Sequence, residues 1–279
     1  MKNRSLLQQP PPICIASIRQ PTKDLAISNI LNAQAHGARG INLHLSFLDE
    51  QYQNYDSIKE IISYTTVSAA ILNYSVKLDG SVMSWSDEER LALSMEGLRA
   101  GGDVIDIQGY SFDPDAKAFY TKENPFASGY SFLDAHPKEV TLSARAIEQQ
   151  CALIEAVHAM GKEVLLSTHA GVPLDRDRLT ELCLYLEKRH PDIIKIVTLA
   201  NTEEEMFETF HSIRQLQKEI RTPVHLHASG KYGPMTRIIC PILGSKFVFC
   251  NDEVRPGVDY TQPNLALSVR IMDAVKQMF

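Results

Sequence analysis

The sequence predicts a (β/α)8 TIM barrel, on three observations. Eight short apolar runs alternate with amphipathic stretches from residue 13 to the end of the 279-residue chain. No GxGxxG or GxxxxGK[ST] loop is present, which a doubly wound open sheet would normally carry to hold phosphates. No linker-like stretch or shift of composition marks a boundary, so residues 1–279 are expected to form a single barrel domain.

The expected strands are ICIASI (13–18), GINLHLSF (40–47), AAILNYS (69–75), VIDIQG (104–109), EVLLSTH (163–169), IIKIVTL (193–199), PVHLHAS (223–229) and FVFCND (247–252). Each is rich in Ile, Val and Leu and mostly apolar on both faces, as a parallel strand covered by helices must be. Helix signals fall between them. SDEERLALSMEGLRAGG opens on a serine cap with an acidic first turn and closes on glycine. NTEEEMFETFHSIRQLQKE places three glutamates at its start and basic residues toward its end, matching the helix dipole. TLSARAIEQQCALIEAVHAMGK, PLDRDRLTELCLYLEKRH and QPNLALSVRIMDAVKQMF carry apolar residues at three- and four-residue spacing.

Residues 110–141 break the short-loop rule, because they separate the fourth strand from the next helix by far more than a barrel needs. Tyrosines and phenylalanines run through this stretch, and YSF occurs at 110–112 and again at 130–132. That content predicts a packed insert or a lid over one end of the barrel.

Composition narrows the function. A net charge of −6 and a pI near 5.9 argue against a nucleic-acid surface. No run approaches the roughly 18 consecutive apolar residues of a membrane span, and prolines interrupt the N-terminal stretch, so a cytoplasmic protein is expected. Five scattered cysteines without a CxxC pair read as reduced, buried thiols.

In such barrels the reactive groups lie at the carboxyl ends of strands. Lys195 stands in the apolar run DIIKIVTL, where an ammonium must snorkel, find a partner or shed its proton. His169 ends the preceding strand, and Asp79 follows the third. The seventh strand runs into HASGKYGPMTR, whose glycines and basic pair suit an anion or a simple turn. A lysine and a histidine on adjacent strand ends are what imine chemistry requires: the amine condenses with a ketone, and the imidazole takes the acidified neighbouring proton. His225 and His227 alternate on the seventh strand and with His169 would suggest a metal, but no carboxylate at firm spacing accompanies them, so none is expected. Neither a serine elbow nor a favoured cysteine is present.

VLLSTHAGVP, DIIKIVTLA, TPVHLHASGKYGPMTRIICPILGSKFVF and RPGVDYTQPNLALSVRIMDAV together resemble the type I 3-dehydroquinate dehydratases, Schiff-base enzymes of the shikimate pathway. The resemblance implies that Lys195 forms the imine, that His169 moves the proton, and that Arg237 holds a substrate carboxylate. Asp79 falls where the family has a glutamate that orients the histidine. Other positions depart from the pattern. Where the family's second strand ends in Glu-x-Arg, this chain has Asn42, His44 and Ser46; Ser75 stands for an arginine of the third strand. Val254 and Val258 align with a serine and a glutamine of the closing loop. Asn42, His44, His227 and Lys231 join Arg237 as substrate-binding candidates, and Tyr110, Tyr120, Tyr130 and Lys122 of the insert are candidate replacements for the lost contacts.

The expectation is therefore a cofactor-free hydro-lyase that dehydrates 3-dehydroquinate to 3-dehydroshikimate, on the route to aromatic amino acids, or acts on an altered hydroxy-ketone. The alternative is a non-catalytic ligand-binding or sensor protein of the same descent. Its partner would be a small hydroxylated keto acid, with neither nucleic acid nor membrane involved, and a homodimer stays open.

Overall fold

The computed structural model of the protein describes residues 4–73, 85–113, 140–253 and 261–278. The strands are β1 (Ile13–Ile18), β2 (Gly40–His44), β3 (Ser68–Leu72), β4 (Val104–Gln108), β5 (Glu163–His169), β6 (Ile193–Leu199), β7 (Val224–Ser229) and β8 (Phe247–Cys250). The helices among the described residues are α1 (Lys23–Ala35), α2 (Tyr55–Ser63), α3 (Asp87–Arg99), α4 (Ala144–Ala159), α5 (Arg176–Glu187), α6 (Glu203–Glu219), α7 (Gly233–Ile242) and α8 (Leu265–Lys276). Strands β1 to β7 pair in parallel in sequence order, and β8 returns to pair in parallel with β1, leaving β7 and β8 to face each other at the seam. At the β7–β8 seam the Lys246 N–H donates to the Val224 carbonyl at 3.1 Å and the His225 ring stacks 4.0 Å from Phe247. The predicted (β/α)8 barrel is the observed fold.

Local sequence explains where the elements begin and end. Ser86 with Glu89, and Thr202 with Glu205, form reciprocal capping boxes that satisfy the first free N–H groups of α3 and α6. β2 stops at His44 rather than Phe47, because its partner β3 ends at Leu72 opposite His44 and the chain then turns into a 3-10 helix. β8 stops at Cys250, beyond which Asn251 forms an isolated bridge to Asn264.

Two large apolar bodies among the described residues hold the molecule together, with a small third cluster of Ala200, Met206 and Ala228 beside β6 and β7. One lies between helices and the outer strand faces; the other fills the lower barrel with Ile13, Ile15, Val104, Leu165, Ile193 and Phe247. Leu6, 1% exposed, plugs the N-terminal end of that inner core. The plug is pinned at several points. Leu6 and Leu7 donate their N–H groups to Glu163 Oε2 at 3.0 Å each, Lys246 Nζ donates to the Leu7 and Gln9 carbonyls, and Arg4 pairs with Asp103.

The ends of the 110–141 stretch are well anchored: Gln150 Nε2 donates to the carbonyls of Gly109 and Ser111, and the Thr141 N–H donates to Gly109. Residues 114–139, which hold the expected insert or lid with Tyr120, Lys122 and Tyr130, lie outside the described residues. The five cysteines are free thiols, four of them buried. Among the described residues no helix is long and apolar enough to cross a membrane.

Candidate active site

Parallel registry builds the site from three strands. Lys195 on β6 lies level with Ser167 on β5 and His225 on β7; two residues onward, Val197 lies level with His169 and His227. Alternation along a strand repeats every two residues, so Lys195, His225 and His227 share the barrel interior. Lys195 is only 4% exposed. Its Nζ stands 3.4 Å from His169 Nε2, 3.8 Å from Asp106 Oδ2, and 5.6 Å over the Phe249 ring.

Asp106, on β4 and 1% exposed, is the carboxylate beneath the lysine. Its Oδ1 accepts from Ser167 Oγ at 2.5 Å and from Gln108 Nε2 at 3.3 Å. The amide of Gln108 is oriented from the other side, where its Oε1 accepts from the buried Arg90 guanidinium. Arg90 is in turn held by Asp87, by the Asn73 carbonyl and by Ser111. Burial raises the Asp106 pKa above the ordinary carboxylate value, against the pull of Lys195 and the Ser167 hydroxyl.

The imidazoles surrounding the amine are neutral bases. Burial holds His44, His169, His225 and His227 well below the ordinary histidine value, and the Lys195 charge pushes each further down. Arg19 adds to the effect at His44, and Arg237 at the other three. The shared influence of Lys195 sets all four rings around one amine. Among the described residues no group of three or more His, Cys, Asp or Glu side chains is arranged to hold a metal ion.

A sequence profile for the type I 3-dehydroquinases matches residues 13–266, nearly the whole chain. The chain belongs to the type I 3-dehydroquinase family. It is 22% identical over 240 residues to a 3-dehydroquinate dehydratase of Desulfotalea psychrophila, covering 85% of this chain and 86% of that one. Its fold is similar to that of the Clostridium difficile type I 3-dehydroquinate dehydratase, whose structure carries covalently modified comenic acid (TM-score 0.73, 14% identity, 97% of this chain and 95% of that one). It is likewise similar to the Geobacillus kaustophilus enzyme (TM-score 0.71, 11% identity, 95% and 91%).

In this member of the family, the structure brings Lys195 and His169 within contact and sets Arg237 close enough to depress three site histidines. Arg237 Nη2 donates to Thr261 Oγ1 at 3.3 Å, tying α7 to the segment before α8. Asn42 and His44 are buried on β2, with Asn42 Nδ2 and His44 Nε2 3.3 Å apart. His227 is buried beside His225. Lys231 is exposed at the exit of β7, its Nζ 5.0 Å over the Tyr232 ring. Gly230 makes that exit: its φ is +83°, and a Cβ there would meet Asn201 Oδ1 at 2.5 Å. Asp79, Ser75, Val254 and Val258 lie outside the described residues.

Sequence reasoning missed Asp106, Gln108 and Ser167. The signal was present, since VIDIQG sets a carboxylate in an apolar strand as IIKIVTL sets an ammonium. It also missed Gln262, whose Oε1 accepts from Ser17 Oγ at 2.8 Å at the end of β1. That glutamine lies four residues beyond the valine aligned with the family's glutamine.

Proposed function

We propose that the protein is a Schiff-base-forming hydro-lyase of the 3-dehydroquinate dehydratase type, acting on 3-dehydroquinate or a related hydroxylated keto acid in the cytoplasmic shikimate pathway. The observation that carries this is the contact of a 4%-exposed lysine with a neutral histidine 3.4 Å away. Lys195 must shed a proton to act, and Asp106, whose proton affinity burial raises, stands 3.8 Å away to accept it. The free amine attacks the ketone carbon, and the carbonyl oxygen departs as water, leaving an iminium. His169 removes the proton from the adjacent carbon, and the C–H electron pair becomes the enamine double bond. The enamine electrons then expel the β-hydroxyl, which takes the proton from His169 and leaves as water. Hydrolysis of the imine consumes one water and frees the enone and Lys195, so the net change is loss of one water. Arg237, with its planar fork of donors, is assigned to the substrate carboxylate.

An altered substrate is supported by β2. Where the family pattern has a charged Glu-x-Arg pair, this mouth offers the uncharged Asn42 and a neutral His44. Polar contacts to substrate hydroxyls discriminate strongly, so their replacement should shift preference rather than merely weaken binding.

Ultraviolet absorption of the enone formed from 3-dehydroquinate tests the reading. Turnover is expected, slower than in a family member that keeps the charged pair, and absent in Lys195→Ala. His169→Ala should lose about 100-fold or more in kcat, the usual contribution of a positioned acid–base group. Turnover that survives Lys195→Ala would overturn the imine mechanism. Binding of 3-dehydroquinate with neither turnover nor a covalent adduct would favour the sensor reading instead.

A further inference from the structure

The interior of β7 carries a hydrogen-bonded chain that the proposed proton transfers do not use. His225 Nδ1 stands 3.0 Å from Ser245 Oγ, and His225 Nε2 stands 3.0 Å from His227 Nδ1. All three residues are at most 2% exposed. At the far end, the buried Nε2 of His227 has no hydrogen-bond partner among the described residues.

The direction of this chain can be worked out from its closed end. Ser245 Oγ accepts from the Leu226 N–H at 2.9 Å and donates its single proton to the Leu226 carbonyl at 3.1 Å. With that proton committed to the carbonyl, His225 Nδ1 carries a hydrogen and donates it to Ser245 Oγ. A neutral His225 consequently has a lone pair on Nε2, which accepts from His227 Nδ1–H. The remaining nitrogen, His227 Nε2, is left as a bare acceptor. Burial keeps both rings in the neutral form that this chain requires.

His227 is level with Val197 and hence with His169, one interior layer above Lys195. A buried acceptor with no partner costs stability unless something fills it. We propose that His227 is a specificity residue of this site, its Nε2 accepting a hydrogen bond from a hydroxyl of the bound hydroxy-ketone, with Ser245 and His225 fixing the tautomer. This rests on the ligand class given above but not on imine formation.

Long-range 1H–15N correlation spectra of the histidine-labelled protein test it in two states. In the free protein, His227 should be protonated at Nδ1 and bare at Nε2. In Lys195→Ala, which cannot form an imine, saturation with 3-dehydroquinate or hydroxyacetone should shift the His227 Nε2 resonance upfield. A protonated Nε2 in the free protein, or no shift with either compound, would overturn the proposal. Affinity supplies a second arm, read with 3-dehydroquinate analogues each lacking one ring hydroxyl. One analogue should bind the wild type about tenfold more weakly, and His227→Leu should erase that difference while His227→Gln, which keeps an acceptor, largely retains it. An equal loss for every analogue in His227→Leu would count against it. If the Nε2 shift appears while borohydride traps no adduct on the wild type, the lyase reading falls and the His227 contact stands.

Discussion

Lys195 and Asp106 present one problem with opposite signs, since each puts an ionisable group into an apolar strand and buries it almost completely. They solve it together at 3.8 Å, with Ser167 and Gln108 satisfying the far oxygen of the carboxylate. Removing one partner of a buried pair leaves an uncompensated charge, so Asp106→Asn should lower unfolding stability by about 3–5 kcal/mol in urea titrations. Unchanged stability would contradict the pairing. The lysine was legible because imine chemistry asks for a lysine beside a histidine, and the sequence places the two on adjacent strands. Asp106 was not, although its strand shows the same anomaly: its partner is two strands distant, and only the closing of the barrel brings them together. Gln262 was hidden differently, since an alignment counts positions while the hydrogen bond to Ser17 depends on how the chain returns to β1.

Among the elements, strands β1, β5 and β6 have the boundaries expected from their apolar runs. Helices α3 and α6 begin at their capping residues for the same local reason. Errors fall at strand ends near the mouth, where β2 and β8 stop because pairing stops and apolar side chains continue into loops. The N-terminal plug was not legible at all. LLQQ shows no period, and its role comes from Glu163 and Lys246, distant residues at the lower rim. Truncating the plug, Leu6→Ala, should cost about 2–3 kcal/mol in urea unfolding through lost burial and a residual cavity. A cost near zero would show that the segment lies on the barrel without closing it.

For the whole molecule, the buried neutral histidines link the site to stability. His44, His225 and His227 stay unprotonated in the fold, while in the unfolded chain each takes a proton below about pH 6.5. The unfolded state thus binds more protons below that value, and stability must fall as pH falls. From pH 7.5 to 5.5 stability should fall, by at most about 4 kcal/mol for the three rings together, measured by urea unfolding at both pH values. A flat profile would mean that these rings are not held neutral. The barrel itself was readable from alternation and length; the convergence of its polar residues was not, because registry between strands sets it. If this convergence makes Lys195 a nucleophile, borohydride will trap a substrate ketone on it. Reduction in the presence of 3-dehydroquinate and a panel of related hydroxy-ketones, followed by intact-mass and peptide mapping, should find one ligand attached at Lys195 and none in Lys195→Ala. An unmodified Lys195 across the whole panel, or a ligand attached to a different lysine, would show that Lys195 is not the imine-forming residue.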